Sequence, residues 1–228
     1  MDVHDGHRQR LKKRFAEYGL DNFEDINAIE LLLFYAVPRR DTNTLAHALI
    51  DRFGGLCQVL EAPVSELMKV DGVGENTALL LKLIPQVSRR YQISKNKCGN
   101  ETILSSTMQA GNYILPLFMF ETSEVAYLIC LDSKCKVICC KKLSQGVVNA
   151  AEVSVRRIVE IALNNQAVSV IMAHNHTCGL ALPSREDEMT TQQIAAALAT
   201  VGIALKDHII VAGEDYISFA DSGLIRHR

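Results

Sequence analysis

The segment that most constrains the fold is an unbroken apolar run from Val168 to Ala173, which lies between two stretches with helical spacing. A run of this length is typical of a strand buried on both faces of a sheet. Apolar residues recur at helical spacing from Val155 to Ala162, and again from about Arg185 to Val201, where Gly202 ends the pattern. A buried strand between helices predicts a layered α/β domain.

Further β-prone segments surround this central strand. The runs Val125 to Leu131 and Val137 to Lys141 are separated by the polar residues Asp132 to Lys134, which predicts a hairpin or two adjacent strands. Two more strand-like runs, Ala204 to Val211 and Tyr216 to Phe219, close the chain. The sequence therefore predicts a mixed sheet in the C-terminal half.

The N-terminal half has a different pattern. From Gly6 to about Ser94 the apolar positions recur at helical spacing, and glycines and prolines divide them into short segments. We expect a bundle of short helices without strands. The polar stretch Lys95 to Thr102 lacks periodicity, so we place the boundary there, with a helical domain at 1–98 and an α/β domain at 99–228.

Composition excludes some classes of function. The 24 Lys and Arg residues nearly balance the 26 Asp and Glu residues, so the whole-chain charge does not attract nucleic acid or an anionic membrane. No apolar run is long enough to cross a bilayer, and the N-terminus has no apolar export signal. The seven cysteines are an odd number, which favours reduced thiols. We predict a cytoplasmic protein without membrane contact.

The chemistry lies in the segment HNHTCGLALPSRED, residues 174–187, which follows the predicted central strand. In extended chain His174 and His176 project to the same side, so both imidazoles can reach one point. Asp187 begins the next helix, and the intervening loop can return its carboxylate to them. Three such ligands with a fourth position left for water predict a catalytic site with one zinc ion per chain.

Each part of this segment also has a structural interpretation. A His-x-His pair alone is more often a surface pair than a metal site, and Ser184 with Asp187 fits a capping box at the start of a helix. A rival metal site would use Cys130, Cys135, Cys139 and Cys140, but their spacing lacks the paired Cys-x-x-Cys of zinc ribbons. Buried thiols are the favoured interpretation.

The spacing His-x-His, seven residues, Ser, two residues, Asp resembles the JAMM motif of the MPN metalloprotease domain. The run AHNH, the Pro-Ser before Asp187 and the segment Asp207 to Ile210 resemble the bacterial RadC family more specifically. GHRQRLKKRF and Gly72-Val73-Gly74 in the N-terminal half agree, so the resemblance covers almost the whole chain. It implies an N-terminal helical domain followed by a mixed-sheet, α-β-α layered domain like that of cytidine deaminases.

The resemblance implies roles for individual residues. His174, His176 and Asp187 match the zinc ligands, and Ser184 matches the serine that hydrogen-bonds an oxyanion. Glu124 is our candidate for the glutamate that transfers protons, and Glu121 is the second candidate. Without the family, an exposed charge at a strand entry is an equally good interpretation of Glu124. The implied reaction is hydrolysis of a peptide, isopeptide or other amide bond in a peptide or protein substrate.

This chain departs from the family at Thr177-Cys178-Gly179, where RadC proteins usually have Pro-Ser-Gly. A cysteine so close to the predicted zinc raises the hypothesis that Cys178 acts as a fourth ligand and excludes water. A small residue in a tight loop is the favoured interpretation.

The segment Leu67 to Ala78 resembles a helix-hairpin-helix element. Gly72 and Gly74 allow a tight turn, and exposed N–H groups at the next helix can bind a DNA phosphate. Lys69 and Lys82 are the nearby cations, whereas Glu75 opposes a phosphate. A plain packing unit is an equally good interpretation.

Basic residues also cluster on the first predicted helix, where they form either a solvated face or additional phosphate contacts. They are Arg8, Arg10, Lys12, Lys13 and Arg14. Together with the DNA-repair label of the RadC family, these features support an alternative function, a non-catalytic DNA-binding protein with a structural zinc site.

Overall fold

The computed structural model describes residues 3–38, 40–97, 102–145, 154–177 and 179–225. The chain forms two compact units, Met1–Ser88 and Arg89–Arg228. The division falls within a long helix, Glu75–Lys97. The boundary that we predict between residues 98 and 99 falls outside the described ranges and stays a prediction.

The first unit contains helices and, among its described residues, no strand. Its helices are α1 (Val3–Tyr18), α2 (Asp25–Ala36), α3 (Thr42–Phe53), α4 (Leu56–Glu61), α5 (Val64–Leu67) and the first part of α6 (Glu75–Lys97). Their limits follow local chemistry, as α3 illustrates. The Asp41 carboxylate accepts a hydrogen bond from the backbone N–H of Asn43 at 3.0 Å, and Gly54 ends the helix in a left-handed conformation at φ 104°.

The second unit contains a five-stranded mixed sheet with helices. Its elements after α6 are α7 (Thr107–Phe118), β1 (Val125–Leu131), β2 (Val137–Gln145), α8 (Val155–Asn164), β3 (Ser169–Asn175), α9 (Arg185–Thr200), β4 (Ala204–Ala212) and β5 (Asp215–Ser218). The strand order is β2-β1-β3-β4-β5, with β3 and β4 parallel and the other pairs antiparallel. This arrangement confirms the predicted α/β class, with the apolar run in the central strand.

Alternation along the strands separates two apolar cores. Val170 and Met172 face a core that also contains residues of α8 and α9, whereas Ile171 and Ala173 face a core with residues of α7. His174 follows the alternation of Val170 and Met172, so it faces α9. The layered order of helix, sheet and helix therefore places the predicted ligand strand against the helix that carries Asp187.

The observed limits differ from the predicted ones by a few residues. β2 continues to Gln145, and β3 begins at Ser169 and extends to Asn175. Helix α7 has no predicted counterpart, and it contains Gly111 and Pro116. These residues lower intrinsic helix propensity, and packing of the buried face compensates. None of the described helices is long and apolar enough to span a bilayer.

Candidate metal centre

The two histidines of the predicted site lie at the end of β3. His174 is the next-to-last residue of β3, and His176 is the first residue after the end of this strand. The backbone N–H of His176 donates to the carbonyl oxygen of Val211 at 2.8 Å, so the chain continues alongside β4 for one more residue. The extended backbone brings both imidazoles to the same side, as the sequence predicts.

Asp187 joins them from the first turn of α9. His174 Nε2 lies 3.0 Å from His176 Nε2 and 3.2 Å from Asp187 Oδ1, while His176 Nε2 lies 3.4 Å from Asp187 Oδ2. The ligand atoms of these three residues all lie within 4.8 Å of one another. Within the described ranges, no other group of three or more His, Cys, Asp or Glu residues converges in this way.

These separations fit a tetrahedral zinc ion. Zinc binds imidazole nitrogen and carboxylate oxygen at about 2.0–2.2 Å, so two ligand atoms at a tetrahedral angle are about 3.3 Å apart. The nitrogen–nitrogen distance of 3.0 Å and the nitrogen–oxygen distances of 3.2 Å to Asp187 Oδ1 and 3.4 Å to Asp187 Oδ2 lie close to this value. The three side chains could therefore hold a metal ion and leave a fourth position for water.

Ser184 holds the Asp187 carboxylate in place. The backbone N–H and the hydroxyl of Ser184 donate to Asp187 Oδ2 at 2.8 and 2.6 Å, and the Asp187 N–H donates back to Ser184 Oγ at 3.1 Å. This reciprocal pair is the capping box that the sequence predicts at the start of α9. Oδ1 remains directed at His174.

The ionisation state of Asp187 suits the binding of a cation. Burial by itself raises the pKa of this carboxyl, but the neighbouring imidazole of His174 and the hydrogen bonds from Ser184 outweigh it and hold the pKa far below its usual range. Asp187 is therefore ionised at neutral pH. An ionised carboxylate is the form that binds a divalent metal.

Two residues without a predicted role lie behind His174. His208 Nε2 is 2.8 Å from His174 Nδ1, and His208 Nδ1 is 2.6 Å from the hydroxyl of Thr191. Complete burial and the neighbouring His174 lower the pKa of His208 to about 3, so it is neutral at physiological pH. Two sequence signals point to these contacts. Thr191 lies four residues after Asp187, one helical turn away, and His208 lies in the strand that follows α9.

Asn175 is a further residue without a predicted role. Its Oδ1 accepts from the backbone N–H of Val125 at 2.7 Å, and its Nδ2 donates to the carbonyl oxygen of Ser123 at 3.2 Å. These two contacts flank Glu124. The sequence signal for Asn175 is its position between His174 and His176, the two candidate histidine ligands.

Glu124 directly precedes β1, which pairs antiparallel with β3. Ala126 pairs with His174, and continuing this register by two residues sets position 124 across from position 176. The side chain is half-buried and makes no hydrogen bond or ion pair with any residue that the structure describes. Its carboxylate is not part of the converging ligand group.

The carboxylate of Glu121, the second candidate, already forms ion pairs with two basic side chains. Its Oε1 lies 2.8 Å from Arg89 Nη2 and 3.3 Å from Lys142 Nζ, and its side chain is 12% exposed. Two cations therefore already engage the carboxylate of Glu121. The contacts therefore favour Glu124 over Glu121.

Among the described cysteines, Cys130 is buried, Cys135, Cys139 and Cys140 are half-buried and Cys57 is exposed. Cys130 lies in β1 opposite Cys139 of β2, and burial first, then Cys139, raises the pKa of Cys130 to about 12. A protonated thiol is not a metal ligand. No cysteine belongs to the converging group found among the described residues. Cys178 lies outside those residues, so its predicted role stays a hypothesis.

The predicted hairpin joins α5 to α6. Gly72 has φ 90°, a left-handed conformation that suits glycine, and Gly74 is exposed just before α6. The two lysines predicted to assist have partners within the first unit. Lys69 Nζ lies 2.5 Å from a Glu66 carboxylate oxygen, and Lys82 Nζ donates to two carbonyl oxygens at the end of α4, at 3.0 and 2.9 Å.

The basic cluster of α1 also makes contacts within its own unit. Arg8 donates to the carbonyl oxygens of Val37, Pro38 and Arg40 at 2.8, 3.0 and 2.6 Å. Arg14 donates to the Asn22 carbonyl oxygen, Lys13 pairs with Glu17 and Lys12 lies over the rings of Phe34 and Tyr35. Much of this basic charge therefore stabilises the helices around it.

Comparison with known proteins agrees with this geometry. A family described as the RadC-like JAB domain matches residues 104–224, which include all the side chains of the candidate centre. The UPF0758 protein FN0909 of Fusobacterium nucleatum is 34% identical over an alignment of 227 positions, which covers 96% of this chain and 97% of that protein.

Proposed function

Because this chain belongs to the RadC family, we propose that it is a cytoplasmic zinc-dependent hydrolase of peptide, isopeptide or other amide bonds. The observation that carries the proposal is the convergence of two imidazole nitrogens and one ionised carboxylate at the spacing of a tetrahedral metal site. With three protein ligands, such a site keeps a position for water, as catalytic zinc sites do.

In this proposal His174, His176 and Asp187 hold one zinc ion. Bound there, the ion would supply Lewis acidity, which would lower the pKa of a water molecule to about 7 and polarise the substrate carbonyl. The protein contributes the orientation of the ligands and the groups that move protons.

Glu124 is the proposed general base and acid. Asn175 holds both neighbours of Glu124, and the strand register sets this residue across from His176. Its lack of a described partner leaves the carboxylate available to take a proton from water and return it to the leaving amine. A general acid/base of this kind contributes roughly a hundredfold to ten-thousandfold in rate.

Ser184 is the proposed oxyanion donor. Its hydroxyl donates to Asp187 Oδ2, but its backbone N–H donates to the same oxygen. The hydroxyl can therefore turn towards a substrate oxygen while the backbone keeps Asp187 in position. A hydrogen-bond donor aimed at the developing oxyanion stabilises the transition state.

The test uses Glu124→Gln, with Glu121→Gln as its matched control. We expect Glu124→Gln to keep the zinc content of the wild-type protein and to lose about a hundredfold to ten-thousandfold in turnover. Because Glu121 lies outside the proposed proton path, the Glu121→Gln variant should keep turnover near the wild-type value. Zinc is measured on protein purified without chelator, and turnover in a screen of peptide and isopeptide substrates.

Two outcomes contradict the proposal. If Glu124→Gln loses zinc to the same extent as Asp187→Ala, Glu124 is a ligand or a structural residue. If the zinc-loaded wild-type protein cleaves none of the amide substrates, the hydrolase assignment fails.

The alternative is a non-catalytic DNA-binding protein with a structural zinc site. It is favoured by the hairpin, because Gly74 directly precedes the 23-residue helix α6 and the first N–H groups of a helix can bind a phosphate. Lys69 and Lys82 are the proposed cations, although both have internal partners.

Titration of duplex, single-stranded and branched DNA at two salt concentrations tests this alternative. Salt-dependent binding together with zinc but without amide hydrolysis would favour it. Absence of binding at the lower salt concentration would leave the hairpin as a packing unit.

A further inference from the structure

We propose that Thr191 and His208 form a hydrogen-bond relay that fixes His174 in the tautomer able to bind a divalent cation through Nε2. The proposal rests on the metal site of the proposed function. It assigns positioning roles to two residues that lie behind the ligands and do not touch the ion.

The relay begins at the backbone of α9. Thr191 Oγ1 lies 2.5 Å from the carbonyl oxygen of Asp187, which can only accept a hydrogen bond. The single hydroxyl proton is therefore directed at that oxygen. At the contact of 2.6 Å with His208 Nδ1, the hydroxyl must act as the acceptor. His208 consequently carries a proton on Nδ1.

The second step fixes the other nitrogen of His208. The residue is only 2% exposed, its ring lies 4.8 Å from the ring of Phe219, and no described carboxylate contacts either ring nitrogen. Burial of an unpaired cation costs several kcal/mol, so the ring is neutral and Nε2 has no proton. Nε2 then accepts the hydrogen bond of 2.8 Å from His174 Nδ1–H.

The third step reaches the ligand. With its proton on Nδ1, His174 presents an unprotonated Nε2 to the point where His176 Nε2 and Asp187 Oδ1 lie 3.0 and 3.2 Å away. The opposite tautomer would place an N–H proton there and block a cation. A second partner that fixes the tautomer of a metal-binding histidine is common, usually a carboxylate or a carbonyl group. Here a neutral histidine takes that place.

The relay also links two ligands. It starts at the backbone of Asp187, passes through β4 and ends at His174 in β3. A shift of α9 against the sheet would therefore disturb the aspartate and the histidine together.

The test compares Thr191→Val, which keeps the shape of the side chain but removes the hydroxyl, with Thr191→Ser, which keeps the hydroxyl. Zinc affinity is measured by competition with a chromophoric chelator. We expect Thr191→Val to bind zinc about 10–100-fold more weakly, the usual effect of an outer-shell change. Thr191→Ser should stay close to the wild-type affinity.

Nitrogen-15 NMR of the metal-free proteins gives a readout that a merely structural role would not move. We expect His174 to carry its proton on Nδ1 in the wild type and in Thr191→Ser, and to show mixed tautomers in Thr191→Val. A wild-type His174 protonated on Nε2 would overturn the relay. So would wild-type zinc affinity with an unchanged tautomer in Thr191→Val.

A second pair of variants covers the case in which Thr191→Val does not fold. The amide oxygen of His208→Gln can accept from His174 Nδ1–H, whereas His208→Leu cannot. We expect the glutamine variant to bind zinc more tightly than the leucine variant, and equal affinities would contradict the relay. If the wild type shows the expected tautomer and binds zinc but hydrolyses no amide, the relay is supported and the proposed hydrolase function fails.

Discussion

Two buried aspartates in the second unit look alike but differ in what surrounds them. Asp187 is 5% exposed and Asp207 is 4% exposed, and each accepts hydrogen bonds from a serine hydroxyl and from backbone N–H. Burial raises the pKa of Asp207 and outweighs its hydrogen bonds from Ser218, Ala220 and His208. At Asp187, in contrast, the neighbouring imidazole of His174 and the hydrogen bonds from Ser184 outweigh burial and lower the pKa.

The two carboxylates differ in which of their oxygen atoms are already occupied by hydrogen bonds from the protein. Asp207 Oδ1 accepts from the N–H groups of His208 and Ala220 at 2.7 and 3.0 Å, and Oδ2 accepts from the Ser218 hydroxyl at 2.6 Å. This carboxylate ties β4 to the chain after β5. Asp187 instead keeps Oδ1 directed at His174. A buried carboxylate is thus a candidate ligand when one of its oxygens faces other metal-binding atoms.

The largest effect that separates the two aspartates is on zinc binding. We expect Asp187→Asn to weaken zinc binding by about 4 kcal/mol, or about a thousandfold, because a total of about 10–16 kcal/mol is shared among the ligands of a zinc ion. The asparagine keeps an acceptor for the helix cap but loses the charge. Chelator competition measures the change.

Asp207→Asn is the matched control for that substitution. Its zinc affinity should stay near the wild-type value, since Asp207 does not belong to the converging ligand group. Equal losses in both variants would show that the two aspartates do not differ in the way their surroundings indicate.

The second effect is on stability. In Asp207→Ala one buried and one partly buried backbone N–H group and one serine hydroxyl lose their acceptor. We expect the free energy of unfolding to fall by about 2–3 kcal/mol, because an unsatisfied buried donor costs about 1–3 kcal/mol and the hydroxyl can turn to another partner. Urea unfolding of the metal-free protein measures it. A loss below that of Ser218→Ala would contradict the scaffold role.

The candidate ligands could be predicted from the sequence better than the contacts that support them. His174 and His176 follow from the alternation of extended chain, and the capping box follows from the Ser-x-x-Asp spacing of Ser184 and Asp187. The central strand could be predicted because an apolar run of that length has few other interpretations. The family resemblance then connected the ligand positions.

The supporting contacts could not be predicted in the same way. Thr191 lies within a helix and His208 within a strand, and each has an ordinary structural interpretation when it is considered alone. Their contact depends on how α9 packs on the sheet and on the parallel register of β3 and β4, which shifts between Val170 and Ile171. Periodicity reports which face a residue occupies, but it does not report the register between strands that are distant in sequence.

The smallest expected effect is a difference in the pH dependence of stability. The folded-state pKa of Asp187 lies below the unfolded value, so its contribution to stability is present above the unfolded pKa and is lost as the pH falls through the folded one. The pKa of Asp207 is higher in the folded protein than in the unfolded chain. As the pH falls, the Asp207 carboxylate therefore becomes protonated at a higher pH in the folded protein, and the free energy of unfolding rises. In metal-free protein unfolded by urea between about pH 3 and 7, Asp187→Asn should flatten the acid decline in stability, and Asp207→Asn should steepen it. Changes of the same sign in both variants would mean that the two carboxylates share one electrostatic environment, and the contrast between ligand and scaffold would not hold.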